Sequence, residues 1–372
     1  MRIVYLLFLI VFCFPVFSQG NDANNPADST LLSVDSDEED QFSIYPFPFI
    51  LISPETELGI GEVTLFTFRF KNDLKSSRMS QFQIGFTYTQ LNQLLFYVPF
   101  QLYYKDDKYY SFGQLGYYRF SYFFYGIGSD AKDEDEELYD VNFPRVNVNV
   151  LQEIKPSWYF GLKYKMESHD IKEREDEGQL SNNRITGSNG GTISALGLIS
   201  IFDDRNNYNF PSSGNLLEVT FLPNLKAFGS DFNFSRLSVD YSKYLSVNEN
   251  IFAFNLFAVS VIGDAPFNEL AFIGGRDKMR GYYEGRFRDN NLLMGQAEYR
   301  RIIYKNFGLV LFTGFGAVAD DYSNFDLTEV KPSGGLGLRY RFDEEDKLNI
   351  RMDVGFGENG NSGVYLTLGE AF

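Results

Sequence analysis

Few residues in this chain could do covalent chemistry. His169 is the single histidine, and it stands beside Glu167 and Ser168. Imidazole, carboxylate and hydroxyl are the parts of a nucleophilic triad, but a triad is recognised by geometry and roles, and no nucleophile motif accompanies these three. A histidine at a strand end is the simpler reading, and no enzymatic activity is expected. Cys13 is the single cysteine. It falls in a segment expected to be removed, which excludes disulfides, thiolate catalysis and cysteine metal sites from the mature chain. The acidic run from Asp130 to Asp140 offers carboxylates to hard cations, but without ordered ligand spacing. It reads as a solvated loop, with divalent-cation binding near lipopolysaccharide as the alternative. Neither a metal nor a cofactor is expected.

The remaining charges matter for where they recur. Trp158, Phe160, Leu162, Tyr164 and Met166 alternate with Lys163, Lys165 and Glu167. Leu336, Leu338, Tyr340 and Phe342 alternate with Arg339 and Arg341, and Leu348, Ile350, Met352 and Val354 alternate with Arg351 and Asp353. A period of two with charges on one face means strands of a half-apolar sheet. These segments run about 9–12 residues, the length of a tilted membrane strand, whereas soluble strands average about 5–6. Charges at inward positions suit a wet lumen and would be costly in a sandwich core.

Composition agrees. Aromatics make up 17% of the 372 residues, with 25 Tyr and 39 Phe, yet mean hydropathy is −0.23. Alternating lipid-facing and lumen-facing residues keep the average polar while aromatics crowd the two interfaces. The net charge of −17 argues against a nucleic-acid partner. The fold predicted is all-β: a 16-stranded antiparallel transmembrane β-barrel with strands near 45–53, 58–70, 79–90, 94–105, 108–127, 138–153, 157–170, 191–202, 214–223, 231–245, 250–262, 292–304, 307–318, 332–342, 347–356 and 364–372. Turns after even-numbered strands are mostly short and polar. Several after odd-numbered strands are long, as expected of outer loops.

Three regions follow. Met1-Arg2, an apolar run from Ile3 to Phe17 and the small Ser18 make residues 1–18 a secretory signal peptide. Residues 19–44 read as a disordered acidic periplasmic tail carrying Asp35, Asp37, Glu38, Glu39 and Asp40, with docking of a partner as the alternative. Residues 45–372 form the barrel. The expected location is therefore the outer membrane of a Gram-negative bacterium, in contact with outer-membrane lipids and lipopolysaccharide.

The most informative segment runs from Phe272 to Arg300. It contains Arg280-Gly281-Tyr282 between the eleventh and twelfth strands, followed by Gly295-Gln296-Ala297-Glu298-Tyr299-Arg300. Arg205-Asn206 to Pro211-Ser212-Ser213-Gly214 precedes the ninth strand. In these features, and in their order, the chain resembles the BamA/TamA/TpsB superfamily of outer-membrane insertases and two-partner transporters. The resemblance implies that the long outer loop folds back into the lumen with Arg280, Gly281 and Tyr282 at its tip. It implies barrel-wall partners at Gln296, Glu298, Phe312, Gly314 and Gly316. By inward parity Glu298 is the first acid expected to meet Arg280. The family's second acid, in a Phe-x-Asp-x-Gly pattern, is replaced here by Gly314 in Phe312-Thr-Gly314-Phe-Gly316, and Asp353 or another inward acid is its substitute. Arg280 either takes part in transport or is a structural plug contact.

The tail has no room for the POTRA domains of family insertases, so the resemblance is to a subgroup without them, with a separate periplasmic partner in their place. The terminal Phe372, on the same face as Val364, Leu366 and Leu368, resembles the sorting signal read by the barrel-assembly machinery, which would insert this chain. Pro46 and Pro48 each remove a ladder donor from the first strand. A lateral seam is therefore expected along Pro46, Pro48, Phe49, Leu368, Gly369 and Phe372, either able to open or simply frayed. Together these features imply outer-membrane biogenesis, the insertion or translocation of proteins or lipids. The alternative is a loop-plugged channel or structural barrel.

Overall fold

The computed structural model describes residues 9–10, 42–53, 57–71, 73–74, 77–181, 184–344 and 346–372. Apart from residues 9–10, the segment expected to be a signal peptide lies outside the described residues, and so does the expected acidic tail up to residue 41. Sixteen strands follow one another: β1 (Phe42–Ser53), β2 (Glu57–Phe68), β3 (Ser80–Thr89), β4 (Leu94–Tyr104), β5 (Tyr109–Phe124), β6 (Glu137–Lys155), β7 (Trp158–Arg174), β8 (Gly191–Asp203), β9 (Gly214–Asn224), β10 (Phe234–Val247), β11 (Asn250–Gly263), β12 (Asn291–Tyr304), β13 (Phe307–Ala319), β14 (Lys331–Asp343), β15 (Leu348–Gly357) and β16 (Ser362–Leu368). Each pairs antiparallel with the next, in one sheet. Among the described residues no helix is long and apolar enough to cross a membrane.

Alternation fixes the two faces. Leu336, Leu338, Met352 and Phe356 are exposed on the outside, while Arg339, Arg351 and Asp353 between them are buried on the inside. A sheet that exposes apolar side chains and buries charges is inside-out by soluble standards and matches a bilayer around it. Glu62 is an exception. It shares the outward parity of Leu58 and Ile60, stands opposite Pro48 and Phe86, and accepts a hydrogen bond from Thr64 Oγ1 at 2.9 Å.

Four of the longest loops, residues 125–136, 175–190, 264–290 and 320–330, lie at one end of the barrel. The loop 264–290 turns back into the lumen. Its Ile273, Met279, Tyr282 and Phe287 pack with Val259, Val261, Leu292, Met294 and Val318 of β11–β13 in one apolar cluster. Two other long loops cover it: Gly128 N–H donates to Arg288 O at 2.8 Å, and Phe267 N–H donates to Thr186 O at 2.9 Å. Asp133, in the acidic run, pairs with Arg286 at 2.6 Å.

Two expectations need correction. The first strand begins at Phe42, because Ser43 continues the ladder opposite Thr67. The last strand ends at Leu368 rather than reaching Phe372. Gly369 takes φ +83°, a left-handed value that suits glycine, and its N–H donates to Asn349 O at 2.9 Å. The chain then turns inward, so Phe372 does not share the outer face of Val364, Leu366 and Leu368.

Candidate functional site

The tip of the inward loop is built around Arg280, whose side chain is 1% exposed. One guanidinium nitrogen bonds Glu298 on β12 and another bonds Asp353 on β15. The guanidinium carbon lies 3.7 Å from the centre of the Phe312 ring on β13. A buried cation needs such partners, because an unpaired one is very costly. Gly314 carries no acid, and a Cβ there would stand 2.9 Å from Met279 Sδ. The loop's own methionine occupies the space an aspartate would need, and Asp353 supplies the second carboxylate from two strands away.

The two acids are themselves shared. Glu298 also accepts from Arg300 Nε at 2.7 Å, and Asp353 accepts from Arg339 at 2.6 Å. Arg339 Nε donates in turn to Glu370 at 2.8 Å, and Asn349 donates to the same carboxylate at 2.9 Å. Arg351 reaches Asp277 of the loop at 2.8 Å. Four guanidiniums (Arg280, Arg300, Arg339, Arg351) thus meet four carboxylates (Asp277, Glu298, Asp353, Glu370). Arg276 also pairs with Asp277 at 3.2 Å and joins a fifth guanidinium to the network. Asp277 lies in the loop; burial alone would raise its carboxyl, but Arg276 and Arg351 hold it below the ordinary value.

Gly281 and Tyr282 seat the tip. Gly281 has φ +114°, and a Cβ on it would lie 2.5 Å from the backbone carbon of Phe356. Its N–H donates to Tyr365 Oη at 3.0 Å. Tyr282 Oη donates to Pro332 O at 2.7 Å and accepts from Glu358 N–H at 2.9 Å. On the other side, Gln296 accepts from Met279 N–H at 2.8 Å, and Lys278 bonds Asp240 at 2.7 Å. Gly316 lies beside Ile273 of the loop's descending arm.

The seam residues are placed less simply. Pro46 and Pro48 face Thr64 and Glu62 in the β1–β2 ladder. Leu368 pairs with Ile350 at the short-turn end, whereas Phe49 pairs with Gly61 in the long-loop half of β1. Phe49 and Leu368 therefore do not face each other, since antiparallel order sends the two strands opposite ways. Among the described residues no ladder register joins β16 to β1. The free edge of β1 carries a two-residue pairing, Leu9–Ile10 against Ile50 and Phe49. Lower down, side chains tie β1 to the end of β14. Tyr45 Oη donates to Asp343 at 2.8 Å, and the Tyr45 and Phe47 rings lie 5.4 and 5.5 Å from Phe342. Phe372 lies inside, its backbone oxygen 2.9 Å from Arg300 and its ring 5.4 Å from that guanidinium.

Other sequence candidates take structural places. His169 stacks on Phe143 at 4.5 Å and lies 3.3 Å from Glu167, while Ser168 bonds Thr192 instead. Lys165 pairs with Glu269 of the loop at 2.7 Å. Arg341 lies 4.7 Å over Phe210. The turn after β8 folds under the barrel, with Arg205 bonded twice to Asp203 and lying 4.7 Å over Tyr208. It borders a cavity of about 310 Å³ that Arg69, Arg78 and Tyr103 also line. Arg300 and Glu370 were not singled out by sequence as parts of the lock; inward parity is the signal for Arg300, and Glu370 has none.

Comparison with known proteins adds the following. The model of the Omp85 superfamily domain matches residues 72–372. No curated protein sequence matches the chain. Among solved structures, BamA from Haemophilus ducreyi lacking POTRA domains 1–3 is similar at 15% identity and a TM-score of 0.54, over 88% of this chain and 69% of that one. CdiB from Escherichia coli is similar at 12% identity and a TM-score of 0.55, over 87% of this chain. CdiB from Acinetobacter baumannii is similar at 13% identity and a TM-score of 0.50, over 88% of this chain. The chain spans 62% and 65% of those two CdiB chains respectively. At these identities the likeness is one of fold.

Proposed function

The chain belongs to the Omp85 superfamily, and from that premise we propose that it acts in outer-membrane biogenesis, inserting or translocating proteins or lipids through a lateral seam between β1 and β16. The observation that supports this is how β1 is held. Fifteen consecutive strand pairs form ladders, among the described residues no ladder register joins β1 to β16, and the side chains around Tyr45 tie β1 to Phe342 and Asp343 at the end of β14. An edge strand with unpaired backbone groups accepts another strand. Arg280, with Glu298 and Asp353, holds the loop in the lumen, so that traffic passes the seam rather than the pore. Outer-membrane lipids and lipopolysaccharide are the surroundings, the barrel-assembly machinery inserts the chain, and a periplasmic partner delivers the client.

The test is a reducible cross-link across the seam. Tyr45→Cys and Asp343→Cys, in a Cys13→Ser background, are joined by a bifunctional thiol reagent carrying an internal disulfide, and complementation of a deletion strain is scored. Activity lost on cross-linking and regained on reduction supports the lateral route. Full activity with the seam tethered removes it. A plugged channel or scaffold is favoured by the connected ion network, which ties the loop to β12, β14 and β15, and it is the reading that remains in that case.

A further inference from the structure

The turn between β4 and β5 puts two lysines on the lipid side of the barrel. Lys105, Asp106 and Asp107 have φ of 54°, 53° and 66°, three left-handed residues in succession. That backbone sends the acids and the bases to different neighbours. Asp106 accepts from Leu74 N–H at 2.7 Å and from Ser77 Oγ at 3.3 Å, and Asp107 accepts from Arg78 N–H at 3.0 Å. The nearby Glu153 is occupied by Ser157 N–H at 3.1 Å. Both lysines are exposed, and among the described residues neither has a carboxylate within ion-pair distance.

The ammoniums lie against outward tyrosines instead. Lys105 Nζ is 5.5 Å from the Tyr104 ring and 5.9 Å from the Tyr109 ring, and Lys108 Nζ is 5.9 Å from Tyr109. Tyr104 is 45% exposed, and its ring meets Phe70 at 5.4 Å, which in turn meets Phe68 at 5.2 Å. An apolar aromatic floor ending in two unneutralised cations has the form of a headgroup site: rings beside acyl chains and ammoniums at phosphate depth. The motif recurs at the same end of the barrel, where Lys305, also left-handed, holds its Nζ 5.4 Å over the exposed Tyr304.

We propose that the Tyr104–Tyr109 turn, with Lys105 and Lys108, is a binding site for the phosphodiester of an anionic phospholipid in the leaflet at the short-turn end. The site is separate from the seam and the loop lock, and it does not depend on the activity proposed for them.

The test uses the full mature chain in phosphatidylcholine nanodiscs containing one-fifth phosphatidylglycerol, with retained lipids counted by native mass spectrometry after release into detergent. The wild type retains phosphatidylglycerol in preference to phosphatidylcholine. Lys105→Gln with Lys108→Gln lowers that retention on the order of tenfold, from the attraction of two lysines to an anionic surface. Lys105→Arg with Lys108→Arg restores it, and Lys172→Gln with Lys226→Gln, at the other end, leaves it unchanged. Excess inorganic phosphate does not displace the lipid. No lipid preference in the wild type overturns the proposal without any variant. So does equal loss in the long-loop control, or displacement by free phosphate, which would mark a general anion site. Heat-dependent gel mobility shows that each variant is folded.

Discussion

Tyr45 on the first strand donates its phenol to Asp343 at the end of the fourteenth, 298 positions later, across a distance of 2.8 Å. The contact bypasses the two strands that should separate them around a closed wall. It shows that the start of the sheet is held by side chains reaching under its short last strands. Tyr45→Phe removes the hydrogen bond and keeps the ring against Phe342. The expected cost is about 1 kcal/mol, the range for a partly buried bond. Amide exchange in Phe42–Phe49 should speed up severalfold, with no change in β11–β13. Unchanged exchange would mean that the rings alone hold the edge.

Arg280→Ala leaves Glu298 and Asp353 buried without their shared cation. Breaking a buried pair in this way costs about 3–5 kcal/mol. The loop should leave the lumen, and planar-bilayer conductance should appear where the wild type shows little. Asp353→Asn should give a smaller effect, because Glu298 remains. A silent Arg280→Ala variant would mean that Tyr282 and Met279 suffice to hold the tip.

Gly281→Ala tests close approach. Its Cβ would fall 2.5 Å from the Phe356 backbone at φ +114°, so strain and overlap act together. The expected loss is about 1–3 kcal/mol, read as a lower midpoint in heat-modifiability gels. Gly360→Ala is the matched control: its φ is +84°, but nothing lies within 4 Å of the new carbon. Equal losses would show that backbone strain, not contact with β15, decides.

The Asp277 carboxyl sits below its ordinary value because Arg276 and Arg351 outweigh burial. A depressed folded value means its contribution is present above the ordinary carboxylate pKa and is lost as pH falls through the lowered one. Cysteine-labelling access at the loop tip should therefore be flat from pH 7 to 5 and rise only below about pH 4. Asp277→Asn should abolish that rise. A rise already complete between pH 7 and 5 would rule out Asp277 as its source.

Much of this molecule is written in its alternation. Lys163, Arg339 and Arg351 stand at every second position between apolar residues, and that alone separates lumen from lipid. Glu298 announces its direction by parity with Gln296 and Arg300. The end of the chain is different. Val364, Leu366 and Leu368 share an outward face that Phe372 would continue past Glu370, but a left-handed Gly369 and the bond of Glu370 to Arg339 end the strand at Leu368. No local pattern carries that, because the partner lies on another strand. For the same reason Asp353 could be named only as one inward acid among several: which carboxylate reaches Arg280 depends on barrel curvature and on Met279 filling the space beside Gly314.

Glu62 is the sixth of twelve residues in β2, faces outward, and lies across from Pro48 on the seam strand. A carboxylate half-way along a membrane strand does not sit dry; it draws water or headgroups toward itself. On the lateral route proposed above, that polarity stands one strand from the edge of β1, and the lipid next to the barrel becomes part of how that edge is kept soluble.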